Sequence, residues 1–289
     1  MTNQQQNTNT NPATILEFAR LQLAAEALYG FKNAKPEWID SKGDADTSNL
    51  LFGVNYDSGE NYENHLISGN DHNSKFTPTD AAEFAENWEM VAHIANTTTG
   101  FSGSLFRAKK DIEGTRIKAK ELVMSFRSTE FVDDDVHDGR STNTLEIKEK
   151  GWAFGQIADM EKWIQSLKEA KIIGNGTEVS VTGYSLGGHL ATVFNILHNY
   201  EGSDIKIKQT FTFNGAGVGL DNNGNEMSRE KLENIIATFS EHRETATDVE
   251  AQAALKDRKV FRAACNLFSL TEHSTDIYFV TYSHEPCAV

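Results

Sequence analysis

Cysteine is nearly absent from this chain: of 289 residues, only Cys265 and Cys287 carry a thiol. Two thiols exclude a disulfide framework and a four-cysteine zinc site, and leave at most one bridge. Positive charge is also scarce. Lys and Arg total 27 against 42 Asp and Glu, a net charge of −15, and no basic block runs beyond a few residues. A grip on a phosphate backbone needs clustered cations, so nucleic acid is not an expected partner. Adsorption to an anionic membrane by charge alone is not expected either. No run of about 18 apolar residues occurs, so no membrane-spanning helix is predicted. The opening MTNQQQNTNTNP lacks the basic start and apolar middle of a secretory signal. Cytoplasmic residence, or export by a route that needs no such signal, follows as the expectation.

What is present suffices for a folded domain, with 38% hydrophobic residues and 17 Phe. Residues 1–13 read as a disordered polar tail and 14–289 as one domain, with no internal repeat and no linker. Thr14-x-x-Glu17 has the form of a capping box, followed by Phe18, Leu21, Ala25 and Leu28 at helical spacing and by Gly30 as a stop. Residues 40–75 are rich in Asp, Asn, Ser and Gly and read as a long surface excursion. Thr77-Pro78-Thr79-Asp80 reads as a helix start, with Phe84 and Trp88 carried inward.

Strand-like runs follow at Phe101–Lys109 and Glu121–Phe126, around a turn at Asp111–Gly114. Beyond them helix and strand alternate. Ala153, Ile157, Met160, Ile164 and Leu167 keep helical spacing, and Glu178–Thr182 is β-rich. Leu190, Val193, Phe194 and Leu197 form another stripe, Lys206–Phe213 another strand, and Leu232, Ile235, Ile236 and Phe239 a further helix. Such alternation predicts an α/β domain built on a mostly parallel central sheet flanked by helices.

The stretch that carries chemistry is Val179-Ser180-Val181-Thr182-Gly183-Tyr184-Ser185-Leu186-Gly187-Gly188-His189-Leu190. Gly183-x-Ser185-x-Gly187 lies between a β-rich run and an apolar helix, the setting of a nucleophile elbow. Side chains at the glycines would collide with the neighbouring strand and helix. The serine is left at a helix N-terminus, where negative charge developing during attack is favoured.

Here the sequence resembles the class 3 lipases, a branch of the α/β-hydrolase superfamily, and most of all bacterial lipase- and phospholipase-like members. The likeness rests on Leu122–Thr129, on Gly183–Gly188 and on Thr210–Gly219, in the family's order and spacing, and covers roughly residues 80–289. Tyr184 stands where the family has His, and Ser128 where it has Gly. The resemblance implies an α/β-hydrolase fold and hydrolysis of carboxylic esters, those of lipids such as triacylglycerols or phospholipids, with no cofactor and no metal. It implies Ser185 as nucleophile and an oxyanion hole made by the backbone N–H groups of Thr129 and Leu186. Partners would be a lipid or small ester and, transiently, a lipid surface.

A serine of this kind needs a base and an orienting acid, in the chain order Ser, Asp/Glu, His. His189 and His198 lie on the helix leaving the elbow and point away from Ser185, and His242 sits in a charged helical stretch. His284 follows the β-rich run Ile277–Tyr282, where the family's base falls; His273 is the alternative. Asp276 is the expected acid, with Asp221 as competitor. The acidic run Glu130–Asp138 lacks the order of a calcium loop and reads as a solvated loop or part of a lid. Two other functions stay open: a catalytically inactive hydrolase-like binding protein, and an acyltransferase or thioesterase using the same serine.

Overall fold

In the computed structural model the described residues are 11–27, 29, 65–70, 73–94, 97, 99–129, 147, 151–220, 224–245 and 278–280. The order of elements is α1 (Pro12–Ala25), α2 (Pro78–Asn87), β1 (Trp88–Ile94), β2 (Gly103–Ala108), β3 (Leu122–Phe126), α3 (Phe154–Glu169), β4 (Thr177–Tyr184), α4 (Leu186–His198), β5 (Ile205–Phe213), α5 (Arg229–Thr245) and β6 (Tyr278–Val280). The strands form one six-stranded sheet in the order β1-β2-β3-β4-β5-β6. From β3 to β6 every pairing is parallel, whereas β1, β2 and β3 pair antiparallel. The class is α/β, and the sheet is mixed. The antiparallel part reflects the connections: the stretch from Ile94 to Gly103 is too short for a crossover, and residues 109–121, around the turn at Asp111–Gly114, hold no helix to carry one, so the strands pair as neighbours.

Period-two alternation sorts the sheet side chains between two cores. Met124, Phe126, Val179 and Val181 join a cluster with residues of α3, α4 and α5. Val123, Phe106 and Phe211 join a second cluster with residues of α1 and α2. The result is a three-layer arrangement with helices on both faces of the sheet. Across the second core the rings of Phe18 and Phe211 lie 4.3 Å apart. Burying each such side chain is worth about 1.5–3 kcal/mol.

Two helix starts show how side chains decide where helices begin. α2 starts as its sequence suggests: the Thr77 hydroxyl accepts from the Asp80 N–H at 3.2 Å and donates to the Asp80 carboxylate at 2.6 Å. α1 starts earlier than the capping box implies. Its cap is Asn11, whose side chain accepts from the Ala13 N–H, and Pro12 takes the first helical position. There its missing N–H costs nothing. Thr14 and Glu17 are thereby freed for tertiary contacts. Thr14 Oγ1 accepts from the Arg116 N–H at 3.2 Å, and the Trp88 indole donates to Glu17 at 3.2 Å.

The expected excursion at 40–75 falls outside the described residues except for 65–70 and 73–75, and the acidic run at 130–138 falls outside them entirely. No helix among the described residues is long and apolar enough to cross a membrane.

Candidate active site

β3 and β4 run parallel with Phe126 opposite Gly183, and β4 and β5 run parallel with Tyr184 opposite Phe213. Their C-terminal ends therefore share one edge of the sheet, the edge at which open α/β sheets bind ligands. Ser185 is the first residue beyond β4 there, and Arg127, Ser128 and Thr129 continue beyond β3 alongside it.

Ser185 has φ 50° and ψ −114°, a conformation that costs a non-glycine residue on the order of 1–3 kcal/mol. Three backbone hydrogen bonds hold it there. Its N–H donates to the Phe213 carbonyl at 3.0 Å, and its carbonyl accepts from the N–H groups of His189 and Ala216, each at 3.1 Å. Serine at a helix N-cap ordinarily spends its hydroxyl on a first-turn N–H. At the start of α4 it makes no such bond. The hydroxyl is left for other work, beside the first-turn N–H groups that no helical carbonyl can reach.

The glycines make this turn sterically feasible. A Cβ on Gly183 would run into the Gly187 carbonyl, and one on Gly187 into the Phe126 carbonyl. α4 thus leaves the elbow in direct backbone contact with the end of β3. That close approach sets Leu186, at the head of α4, next to the segment ending in Thr129. Both residues are buried.

The segment after β5 is fastened over the head of α4. His189 is fully buried; its Nε2 accepts from the Ala153 N–H at 3.2 Å, which leaves the proton on Nδ1 for the Gly217 carbonyl at 3.1 Å. The Gly219 N–H donates to the Gly151 carbonyl at 2.9 Å. This histidine, expected to point away from the serine, has a structural role: it ties the start of α3 to residue 217. Tyr184, beside Ser185, and Val218 and Leu220, in the loop after β5, are exposed apolar side chains, with Leu220 at 58%.

Beneath β3 lies a carboxylate that sequence reasoning missed. Glu26, at the C-terminus of α1, is buried and accepts from the Ser128 N–H at 3.0 Å and from the Ser128 hydroxyl at 2.7 Å. Burial raises its carboxyl to about 7, against the pull of the Ser128 donors and the Arg127 charge. The available signal was a lone Glu in the apolar run Leu23-Ala24-Ala25-Glu26-Ala27-Leu28.

His284, Asp276 and the competitors His273 and Asp221 lie outside the described residues. The strand before His284 is described. β6 pairs parallel with β5, with Val280 opposite Phe213. Phe213 is the residue whose carbonyl holds the Ser185 N–H. Leu220, immediately before Asp221, ends the loop fastened to Ser185 through Ala216. Among the described residues no group of three or more His, Cys, Asp or Glu is placed to hold a metal ion.

The buried ionisable groups predict a pH dependence of stability. Burial lowers His189 to about 4 and His93 to about 3, so both are neutral in the fold and protonate near 6.5 when unfolded. Their stabilisation is complete above 6.5 and is lost as pH falls toward the folded values. Glu26 acts oppositely: with its carboxyl raised, the fold binds a proton that the unfolded chain releases, so its contribution falls as pH rises from 4.5 to 7. Between 4.5 and 6.5 these three groups leave the unfolded state ahead by one proton. Their net effect is a stability loss of about 1.4 kcal/mol per unit of acidification. Denaturant melts at pH 6.5 and 5 should show it, and His189→Gln should flatten the slope; an unchanged slope in that variant would show that His189 is not the group responsible.

Compared with known families, with curated proteins and with solved structures, the chain finds no match in any of the three.

Proposed function

We propose that the chain is a serine hydrolase of the α/β-hydrolase type that cleaves carboxylic esters, with lipid esters as the favoured class. The observation that carries this reading is Ser185. It is held at positive φ between a parallel strand and an apolar helix, its hydroxyl is released from capping, and two glycines are required by backbone contact. The strain is fixed by the surrounding hydrogen bonds, and local strain of this kind concentrates at functional sites.

In this mechanism Ser185 Oγ attacks the ester carbonyl while His284 takes its proton. The N–H groups of Thr129 and Leu186 stabilise the oxyanion that forms. Collapse of the tetrahedral intermediate expels the alcohol, which receives the proton from His284, and leaves an acyl-serine. Water, activated by the same imidazole, then releases the acid. Asp276 holds the imidazole in the tautomer that accepts from serine. The exposed apolar side chains of Tyr184, next to Ser185, and of Val218 and Leu220, in the loop bonded to Ser185 through Ala216, support an acyl-chain substrate, since apolar groups gain by leaving water.

The test is hydrolysis of p-nitrophenyl esters of increasing chain length, with Asp276→Asn and Asp221→Asn beside the wild type. Asp276→Asn should lower turnover by about 10³- to 10⁴-fold, because the wrong imidazole tautomer is then favoured. Normal turnover in Asp276→Asn with a large loss in Asp221→Asn would transfer the role to Asp221. No turnover of any ester by the wild type would contradict the hydrolase reading.

A further inference from the structure

We infer that Glu26 is a positioning residue for the oxyanion hole: from the end of α1 it fixes Ser128, and through Ser128 the direction in which the following Thr129 N–H is presented. This inference rests on the reading of Ser185 as an ester-cleaving nucleophile. Its basis is a contact between elements 102 residues apart, in which one buried carboxylate takes both donors of a single residue, the N–H at 3.0 Å and the hydroxyl at 2.7 Å.

The geometry explains why such a device is useful. β3 ends at Phe126, and the Arg127 N–H still bonds back to the Ser102 carbonyl on the β2 side at 3.1 Å. Beyond Arg127 the backbone is no longer held by a strand ladder. Ser128 is the next residue, and its N–H turns to Glu26 instead of to a neighbouring strand. With the peptide on the N-terminal side of Ser128 fixed, and its side chain with it, rotation about the Ser128 Cα–C bond is the one torsion left between the clamp and the Thr129 N–H. On the other flank, the carbonyls of Phe126 and Arg127 lie against the head of α4 at Gly187. The segment leading to the proposed oxyanion donor is thus clamped from one face by α1 and from the other by the elbow.

Glu26 itself is held in turn. It follows the last residue of α1 and closes that helix through its own N–H, and its carboxylate also accepts from Gln22. A glycine at position 128 would offer the carboxylate no hydroxyl and would leave the backbone freer. Serine there, paired with a buried acceptor, replaces that freedom with a fixed orientation. Donors fixed before the reaction need no reorganisation as charge develops, and a displacement of about 1 Å can cost about 100-fold in rate.

The test compares Glu26→Gln, Glu26→Leu and Ser128→Ala with the wild type in p-nitrophenyl butyrate hydrolysis, well below the melting temperature of each. In Glu26→Gln the amide oxygen can accept from the Ser128 N–H and the amide nitrogen can donate to the hydroxyl. It should keep kcat within about 3-fold. Glu26→Leu leaves Ser128 without its acceptor, and kcat should fall about 10- to 100-fold with KM within 2-fold, since the donor acts on the transition state. Ser128→Ala should lower kcat several-fold, again at constant KM. Should Glu26→Leu fail to fold, Ser128→Ala decides. Unchanged kcat in Ser128→Ala, or a loss in Glu26→Leu shared by kcat and KM, overturns the positioning role while leaving Ser185 as nucleophile. A wild type that hydrolyses no ester overturns both.

Discussion

Ser185→Ala should abolish ester hydrolysis, lowering kcat by about 10⁴- to 10⁶-fold, while the fold survives unchanged. The size follows from the proposed role of Ser185 Oγ as the atom that bonds to substrate: without it only binding and oxyanion stabilisation would remain. The survival follows from how Ser185 is held. Its three fastenings, to Phe213, His189 and Ala216, are all made by backbone atoms, and its hydroxyl caps nothing. Alanine keeps all three. Ser185→Gly sharpens the prediction, because glycine adopts φ 50° without steric cost and relieves strain of about 1 kcal/mol or more. That variant should be at least as stable as the wild type and equally inactive. Stability and activity moving in opposite directions at one residue would identify strain maintained for function. A loss of stability in Ser185→Gly would mean that the conformation is not strained.

Gly187→Ala should produce a large loss of stability. The added carbon would meet the carbonyls of Phe126 and Arg127, which are backbone atoms at the centre of the sheet and cannot swing aside. Relief requires prising α4 from β3, in the middle of the larger core. The expected cost is about 3 kcal/mol or more, enough to remove much of the stability of an ordinary domain. Gly217→Ala is the control, since nothing lies within 4 Å of its added carbon and its φ is not positive. It should stay within about 0.5 kcal/mol of wild type in denaturant melts. Equal tolerance of the two substitutions would contradict the close approach of α4 to β3.

The elbow was legible in the sequence because its steric needs are local. A strand, a turn at positive φ and a helix that begins at once demand glycines two residues either side of the serine, and no other residues satisfy that demand. β1 was not legible. Trp88 lies four residues after Phe84, so it reads as the next turn of α2; instead the backbone there is extended, φ −125° and ψ 142°, and Trp88 opens β1. The tryptophan does point inward, as the spacing suggests, but from a strand. The start of α1 misled for a related reason. Thr14 and Glu17 satisfy a capping pattern, yet Asn11 and Pro12 satisfy the same backbone groups earlier, and tertiary partners claim the other two. Glu26 and Ser128 were beyond reach because neither means anything alone. Only the packing of α1 against the sheet brings a carboxylate to the end of β3.

The central claim, that Ser185 is an activated nucleophile, is tested most directly by a fluorophosphonate probe with the modified residue located by mass spectrometry. Such a probe bonds covalently to a serine only where a base removes its proton and donors stabilise the charged intermediate. One labelled residue is expected, Ser185, with labelling absent in Ser185→Ala. Labelling elsewhere, or none in the folded wild type, would contradict it.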